Sequence, residues 1–243
     1  MAVVTIENVD IVFGDNLAQT LPLMDKGHSR DEIIGMTGDV VGVQNANIEV
    51  NEGEICVLMG LSGSGKSTLL RAVNGLNKIA RGRCLVRDGD TMVDIAECDE
   101  AKLARAFAMD TDVLLMDEPF SALDPLIRSQ LQDELIELQK RLNKTIIFVS
   151  HDLDEALKIG TKIAIMESAR IIQEDAPEQI VLNPATEYVE KFVAHTNPLN
   201  VLRGNSLMTP IKELACIDDK VIIDDKIWLE IKEGKLISVQ GPQ

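Results

Sequence analysis

A single glycine-rich run, GLSGSGKST from Gly60 to Thr68, constrains the fold of this chain more than any other stretch. The apolar segment ICVLM before it predicts a strand, and the residues from Lys66 to about Val73 predict a helix. Glycines in such a turn let the backbone wrap closely around an anion, with its N–H groups pointing inward. The complete pattern therefore predicts a phosphate-binding loop rather than a glycine-rich turn without function.

Two residues of this loop carry the predicted chemistry. Lys66 is expected to reach the β- and γ-phosphates of a nucleoside triphosphate, and the Ser67 hydroxyl is expected to bind Mg²⁺. The predicted nucleotide-binding residues of the loop are Gly60, Ser62, Gly63, Ser64, Gly65, Lys66, Ser67 and Thr68.

Polar residues also follow two other predicted strands. In VLLMDE, Asp117 ends a strand predicted to be buried on both faces, at the edge of an open α/β sheet where ligands bind. Asp117 is expected to support Mg²⁺ through water, and Glu118 to polarise the attacking water as a general base. The alternative is a strand end whose two acids merely face solvent. In FVSHD, His151 is expected to contact the γ-phosphate, whereas His28 and His195 are expected to be structural.

Strands that alternate with helices predict an α/β fold of the P-loop NTPase type, with a mostly parallel sheet covered on both faces. An antiparallel β portion is expected from AVVTIENVDIVF, VQNANIEV and a hairpin in RGRCLVRDGDTMVDIA. This core domain is predicted to span residues 1–204. Residues 205–243 alternate with period two, turn at Glu233–Gly234 and predict a small C-terminal β appendage with Trp228 in its core.

Capping signals predict two further helices. Ser29 and Glu32 have capping-box spacing, so a short helix is expected from Arg30 to near Gly38. Asp124 followed by proline predicts the start of a long helix, and DEAKLARAFAM predicts another helix before the VLLMDE strand. One face of the long helix is lined by Leu131, Leu135, Leu138 and Leu142.

The composition argues against several classes of protein. The net charge of −16, from 24 basic and 40 acidic residues, disfavours binding to nucleic acid. No apolar run is long enough to cross a bilayer, and the N-terminus lacks the basic residues of a secretory signal, so an intracellular chain is expected. The four cysteines have no metal-ligand spacing, and Cys56 and Cys84 are expected to be buried.

Taken together, these motifs resemble the ATP-binding cassette family, the nucleotide-hydrolysing subunits of ABC transporters. GLSGSGKST resembles the Walker A motif, VLLMDEP the Walker B motif, SALD the D-loop, and His151 the switch histidine. The resemblance implies ATP and Mg²⁺ as ligands, with Lys66, Glu118 and His151 catalytic and Ser67 and Asp117 at the metal. It also implies nucleotide contacts from Asp124 and from Phe13, which would stack on adenine; the alternative for Phe13 is a core residue.

The resemblance extends to partners, location and subfamily. It implies a homodimer of ATPase subunits that binds transmembrane permease subunits at the cytoplasmic face of the cell membrane. The segment MDKGHSRDEIIGMTG and the run MDEPFSALDPLIRSQLQDELIELQ are similar to importers of glycine betaine, proline and choline. The sequence HTNPLNVLRG and the short tail are most similar to the choline-type members.

One block of the family pattern is missing. Between Ser67 and Asp117 there is no glutamine, and the chain has no Gly-Gly pair, so the Q-loop, the helical subdomain and the LSGGQ signature are absent. The seam is predicted near Lys102–Ala104. Either the block is left out of an otherwise complete cassette, which the intact catalytic residues favour, or the natural chain is a degenerate nucleotide binder.

The sequence bears on three other possible functions. A non-hydrolysing ATP-binding regulatory module is compatible with the missing block. A soluble cassette ATPase acting on nucleic acid or ribosomes is disfavoured by the negative charge. A P-loop GTPase is disfavoured because Ala80 and Ile146 stand where a guanine-reading aspartate belongs.

Overall fold

A computed structural model describes residues 1–89, 91–98 and 113–194, and the backbone of strands Cys216–Ile217, Lys220–Ile223, Ile227–Lys232 and Lys235–Gln240. The chain divides into two compact units, Met1–Val201 and Leu202–Gln243. The predicted boundary at residues 204 and 205, the helix in DEAKLARAFAM, the seam at Lys102–Ala104 and His195 all lie outside the described residues.

The first unit contains nine strands and seven helices among the described residues. The strands are β1 (Ala2–Phe13), β2 (Val40–Asn51), β3 (Ile55–Met59), β4 (Arg81–Asp88), β5 (Thr91–Asp94), β6 (Val113–Asp117), β7 (Thr145–Val149), β8 (Lys162–Glu167) and β9 (Arg170–Asp175). The helices are α1 (Leu17–Asp25), α2 (Arg30–Thr37), α3 (Lys66–Val73), α4 (Pro125–Leu142), α5 (Leu153–Ile159), α6 (Pro177–Leu182) and α7 (Glu187–Val193). A 3₁₀ turn spans Ile95–Glu97.

A five-stranded sheet forms the centre of this unit, in the order β6-β7-β3-β8-β9. Its first four strands are parallel, and β9 pairs antiparallel with β8. Strands β3 and β7 are buried at every position, because side chains on alternate residues contact two different cores. A second sheet is antiparallel, in the order β2-β1-β4-β5.

The central sheet separates two cores. On one face, Cys56 and Leu58 of β3 pack with α3 and with the antiparallel sheet. On the other, Ile55, Val57 and Met59 pack with α4 to α7. The predicted fold class is therefore confirmed, with the central sheet covered on both faces.

Several local predictions are confirmed. Helix α2 begins with a complete capping box, in which the Glu32 N–H donates to Ser29 Oγ and the Ser29 N–H donates to Glu32 Oε2. Asp124 caps α4 by accepting from the Leu126 and Ile127 N–H groups. Cys56 and Cys84 are both fully buried.

Three features differ from the sequence predictions. Helix α1 was not predicted, because it contains Pro22 and its first residue lacks a side-chain cap. Strand β6 was predicted to be buried on both faces, but it is an edge strand of the described sheet and is only half-buried from Leu114 to Met116. Among the described strands, β7 is the neighbour of β6 on one flank, and the other flank has none.

The leucines of α4 are the third difference. Leu131, Leu138 and Leu142 are exposed, whereas Leu135 is partly buried against the second core. The fully buried residues of this helix are Gln132 and Gln139. The glutamines face inward because each finds a hydrogen-bond partner there, Glu155 for Gln132 and the Gly53 and Lys144 carbonyls for Gln139.

The second unit contains a four-stranded antiparallel sheet in its described part. Its strands are β10 (Cys216–Ile217), β11 (Lys220–Ile223), β12 (Ile227–Lys232) and β13 (Lys235–Gln240), in that order. Lys232 pairs with Lys235, which agrees with the predicted hairpin between β12 and β13. Among the described helices of the chain, none has the length and apolar character needed to cross a membrane.

Candidate nucleotide-binding and catalytic site

The loop between β3 and α3 is built around three glycines with positive φ angles. These are Gly60 at 142°, Gly63 at 78° and Gly65 at 104°. A Cβ atom on Gly65 would collide with the Gly42 carbonyl oxygen, and one on Gly60 would collide with the Met166 carbonyl oxygen. Glycine is therefore required at positions 60 and 65 both for the backbone conformation and for space.

Lys66 lies back over this loop. Its Nζ donates to the Gly60 carbonyl at 2.8 Å and to the Leu61 carbonyl at 2.9 Å, and its side chain is buried. Burial lowers the pKa of the Lys66 ammonium, while the nearby charges of Glu118 and Asp117 act in the opposite direction. The Lys66 ammonium is therefore held in place against the loop by hydrogen bonds.

Ser67 and Asp117 lie next to each other. Ser67 Oγ donates to Asp117 Oδ1 at 2.7 Å, and Arg71 Nη2 lies 3.3 Å from Asp117 Oδ2. A hydroxyl and a carboxylate are hard oxygen donors of the kind that Mg²⁺ prefers. The two residues fit a magnesium site that phosphate oxygens and water would complete.

Glu118 and His151 meet at the ends of two neighbouring strands. His151 Nδ1 lies 3.4 Å from Glu118 Oε2. Asp117 and Val149 are paired in register, and the Glu118 N–H donates to the Val149 carbonyl at 3.1 Å. Glu118 itself has a φ of +49°, a conformation that costs energy for a residue with a Cβ atom. The parallel register therefore brings the acid and the imidazole together.

These groups surround one cleft of about 390 Å³. It is lined by Ser62, Gly63, Gly65, Lys66, Ser67, Thr68, Glu118 and His151. Asp117 contacts the cleft through Ser67. The structure thus brings together most of the residues that the sequence analysis selected.

Five selected residues do not line the cleft, and Asp117 is one of them. Gly60 and Ser64 are buried, and Ser64 Oγ has no hydrogen-bond partner in the described part of the chain. Asp124 uses its carboxylate to cap α4. Phe13 is 45% exposed, and its ring lies so close to Gly42 that a Cβ atom there would be 2.7 Å from it.

Two arginines near the site were not predicted from the sequence. Arg71 lies one helical turn after Ser67 on α3, so its spacing could have revealed it. Arg30 donates from Nη1 to the Gly63 carbonyl at 2.9 Å. No local signal could have revealed Arg30, because the contact depends on how α2 packs beside the loop.

By its fold and its site, the chain is a P-loop nucleotide-binding protein. Residues 43–100 match the family model described as ABC transporter. The glycine betaine transport ATP-binding protein OpuAA of Bacillus subtilis is 34% identical, over 84% of this chain and 66% of its own length. The glycine betaine/proline betaine transport system ATP-binding protein ProV of Salmonella typhimurium is 32% identical, over 88% of this chain and 75% of its own length.

Solved structures agree on the fold. The dimeric ATP-binding cassette MJ0796 bound to ADP and Pi has a TM-score of 0.56 and 18% identity, over 72% of this chain and 98% of that one. The chain belongs to the family of ABC transporter ATP-binding proteins.

The comparisons also bear on the missing block. The alignment with OpuAA extends over 278 positions, whereas 84% of the 243 residues here is about 204 residues. About 74 aligned positions, 278 minus 204, therefore have no counterpart in this chain. The match to the family model ends at residue 100, two residues before the predicted seam at Lys102.

Proposed function

We propose that this chain binds MgATP and hydrolyses it as the ATP-binding subunit of an ABC importer for quaternary amines such as glycine betaine or choline. The observation that carries this proposal is the meeting of a phosphate loop, a hydroxyl–carboxylate pair and an acid–imidazole pair around one cleft. The substrate class is supported by the relatives' names, which include glycine betaine and proline betaine transport.

The proposed reaction is the attack of water on the γ-phosphorus, which breaks the bond to the β-phosphate oxygen. The N–H groups of the loop and the Lys66 ammonium hold the phosphates and offset their charge. Glu118 accepts the proton of the attacking water, and His151 contacts the γ-phosphate and helps to orient that water. Ser67 and Asp117 would hold Mg²⁺, which would offset the negative charge of the phosphates.

A binding experiment tests the first half of this proposal. Titration with a fluorescent ATP analogue, with and without Mg²⁺, is expected to give saturable binding that Lys66→Ala weakens strongly. Asp117→Asn should reduce the benefit of Mg²⁺ more than it reduces binding in EDTA. Equal affinity of wild type and Lys66→Ala would contradict the proposed role of the loop.

A turnover experiment tests the second half. Glu118→Gln is expected to retain ATP and to lose hydrolysis, because the amide cannot accept the proton. Ser121→Ala provides a neighbouring control, since the Ser121 hydroxyl donates to the backbone carbonyl of Glu118 and not to its carboxylate in the described part of the chain. Hydrolysis by Glu118→Gln at the wild-type rate would remove Glu118 from the role of base.

The missing block favours a second candidate function, a nucleotide-binding regulatory module without turnover. In the family, the signature motif supplies donors to the γ-phosphate across the dimer, and loss of one such donor commonly costs about 10²–10³ in rate. Phosphate release measured with the membrane partner present separates the candidates. ATP binding without release would favour the regulatory module.

We further propose that the subunit acts as a homodimer and binds transmembrane permease subunits at the cytoplasmic face of the membrane. Support comes from relatives that are components of transport systems and from the dimeric cassette MJ0796. The proposed core is residues 1–204, and the β appendage, residues 205–243, is proposed to regulate or to contact a second subunit. Co-purification with the permease, followed by a screen for solutes that stimulate turnover, tests partner and substrate together.

A further inference from the structure

A chain of buried polar side chains connects α4 to the residue before His151. Ser150 Oγ donates to Glu155 Oε2, and Glu155 Oε1 accepts from Gln132 Nε2 at 3.0 Å. Ser150, Glu155 and Gln132 are 2%, 7% and 6% exposed. Both carboxylate oxygens of Glu155 are therefore occupied by partners from different elements.

A second arm connects α4 to the residue after His151. Arg128 Nη1 donates to Asp152 Oδ2 at 3.2 Å, and the Asp152 N–H donates to Ser150 Oγ at 3.0 Å. Asp152 Oδ1 also accepts from the Glu155 N–H at 3.2 Å. Both backbone neighbours of His151 are thus held by side chains that lead back to α4.

The location of this network matters for the imidazole. The His151 side chain is 61% exposed, and its Nδ1 lies 3.4 Å from Glu118 Oε2. Solvent does not restrain such a side chain, so its direction depends mainly on the backbone that carries it. A buried carboxylate is costly unless all its partners are in place, so the network is stable only in one arrangement of α4 and α5.

We infer that Gln132 and Glu155 are positioning residues that hold the His151 imidazole towards Glu118. They act through Ser150 and Asp152 and do not touch the substrate. The effect on catalysis rests on the proposed function, in which His151 orients the attacking water. Asp124, the last residue of the SALD segment, caps α4, so displacement of that segment would reach His151 by the same route.

The test compares two glutamines of the same helix. Gln132→Leu removes the donor to Glu155. Gln139→Leu is the matched control, because Gln139 is also buried, at 8% exposure, but donates to the Gly53 and Lys144 carbonyls. Ser150→Ala is a second variant, which breaks the network from the other side if Gln132→Leu does not fold.

Two readouts separate positioning from stability. The imidazole ¹H–¹⁵N resonances of His151, assigned with His151→Asn, are expected to move in Gln132→Leu and Ser150→Ala but not in Gln139→Leu. Turnover of ATP is expected to show kcat about tenfold to a hundredfold lower with KM nearly unchanged, again only in the first two variants.

The outcomes are distinguishable from failure of the proposed function. If the wild type neither binds nor hydrolyses ATP, the proposed function fails, while the His151 resonances still report on the network. If Gln132→Leu and Gln139→Leu give the same resonances, or equal losses of kcat, the positioning role is refuted.

Discussion

Replacement of Gly65 by alanine gives the sharpest test of the phosphate loop. Gly65 has a φ of +104°, which costs an L-residue about 1–2 kcal/mol. The new Cβ atom would also lie roughly 1 Å inside contact distance from the Gly42 carbonyl oxygen. Because that oxygen belongs to β2, which cannot yield easily, the loop itself must move by a similar amount.

A shift of this size should abolish nucleotide binding before it unfolds the protein. Misplacement by 1 Å can cost about a hundredfold in reaction rate, and we expect a loss of similar size in the affinity for a fluorescent ATP analogue. Gly38→Ala is the control, because Gly38 ends α2 with a φ of +78° and has no atom within 4 Å of the new Cβ position. It should lose about 1–2 kcal/mol, roughly 2–8 °C in Tm, and bind nucleotide normally. Normal binding by Gly65→Ala would refute the reasoning.

Three further predictions concern neighbouring groups. Burial lowers the pKa of Lys66 in the folded protein, so ATP affinity should fall as the pH rises through that pKa and Lys66 loses its charge. Over the same pH range the free energy of unfolding of the nucleotide-free protein should rise, because the unfolded state binds more protons than the folded state. Lys66→Arg should bind ATP with an affinity that does not change over this pH range. Arg30→Ala should weaken ATP binding about fivefold to tenfold by freeing the Gly63 carbonyl, and Arg30→Lys should recover part of the loss; unchanged titrations would contradict this. Burial raises the pKa of Cys56, and that of Cys84 to about 12, so both thiols should react with a disulfide reagent only after denaturation; fast labelling of the native protein would show that either site opens.

The phosphate loop and α3 could be predicted because their requirements are local. Glycine spacing, a strand before the loop and a helix after it are all readable in the chain itself. The pairing of Glu118 with His151 was also accessible, because the ends of adjacent parallel strands meet at one edge of a sheet. Most residues of the site could therefore be predicted from the residue types that follow each predicted strand.

The features that were missed depend on contacts distant in sequence. Helix α1 is held by Asp39, which accepts from the Asn16 N–H and from Thr20 Oγ1, and neither contact has a sequence pattern. The inward face of α4 carries Gln132 and Gln139 beside Leu135, so the predicted leucine face reaches the core at only one of its four positions. The half-exposure of β6 follows from its place at the end of the strand order.

The backbone conformation of Glu118 affects how this protein can be stabilised by mutation. Its left-handed conformation is one that glycine would adopt at lower energy, by about 1 kcal/mol. Selection for heat resistance alone would therefore favour replacing the very side chain on which the proposed turnover depends. Thermal stability and catalytic activity favour different residues at position 118. A mutant library designed for higher stability should therefore keep Glu118 unchanged.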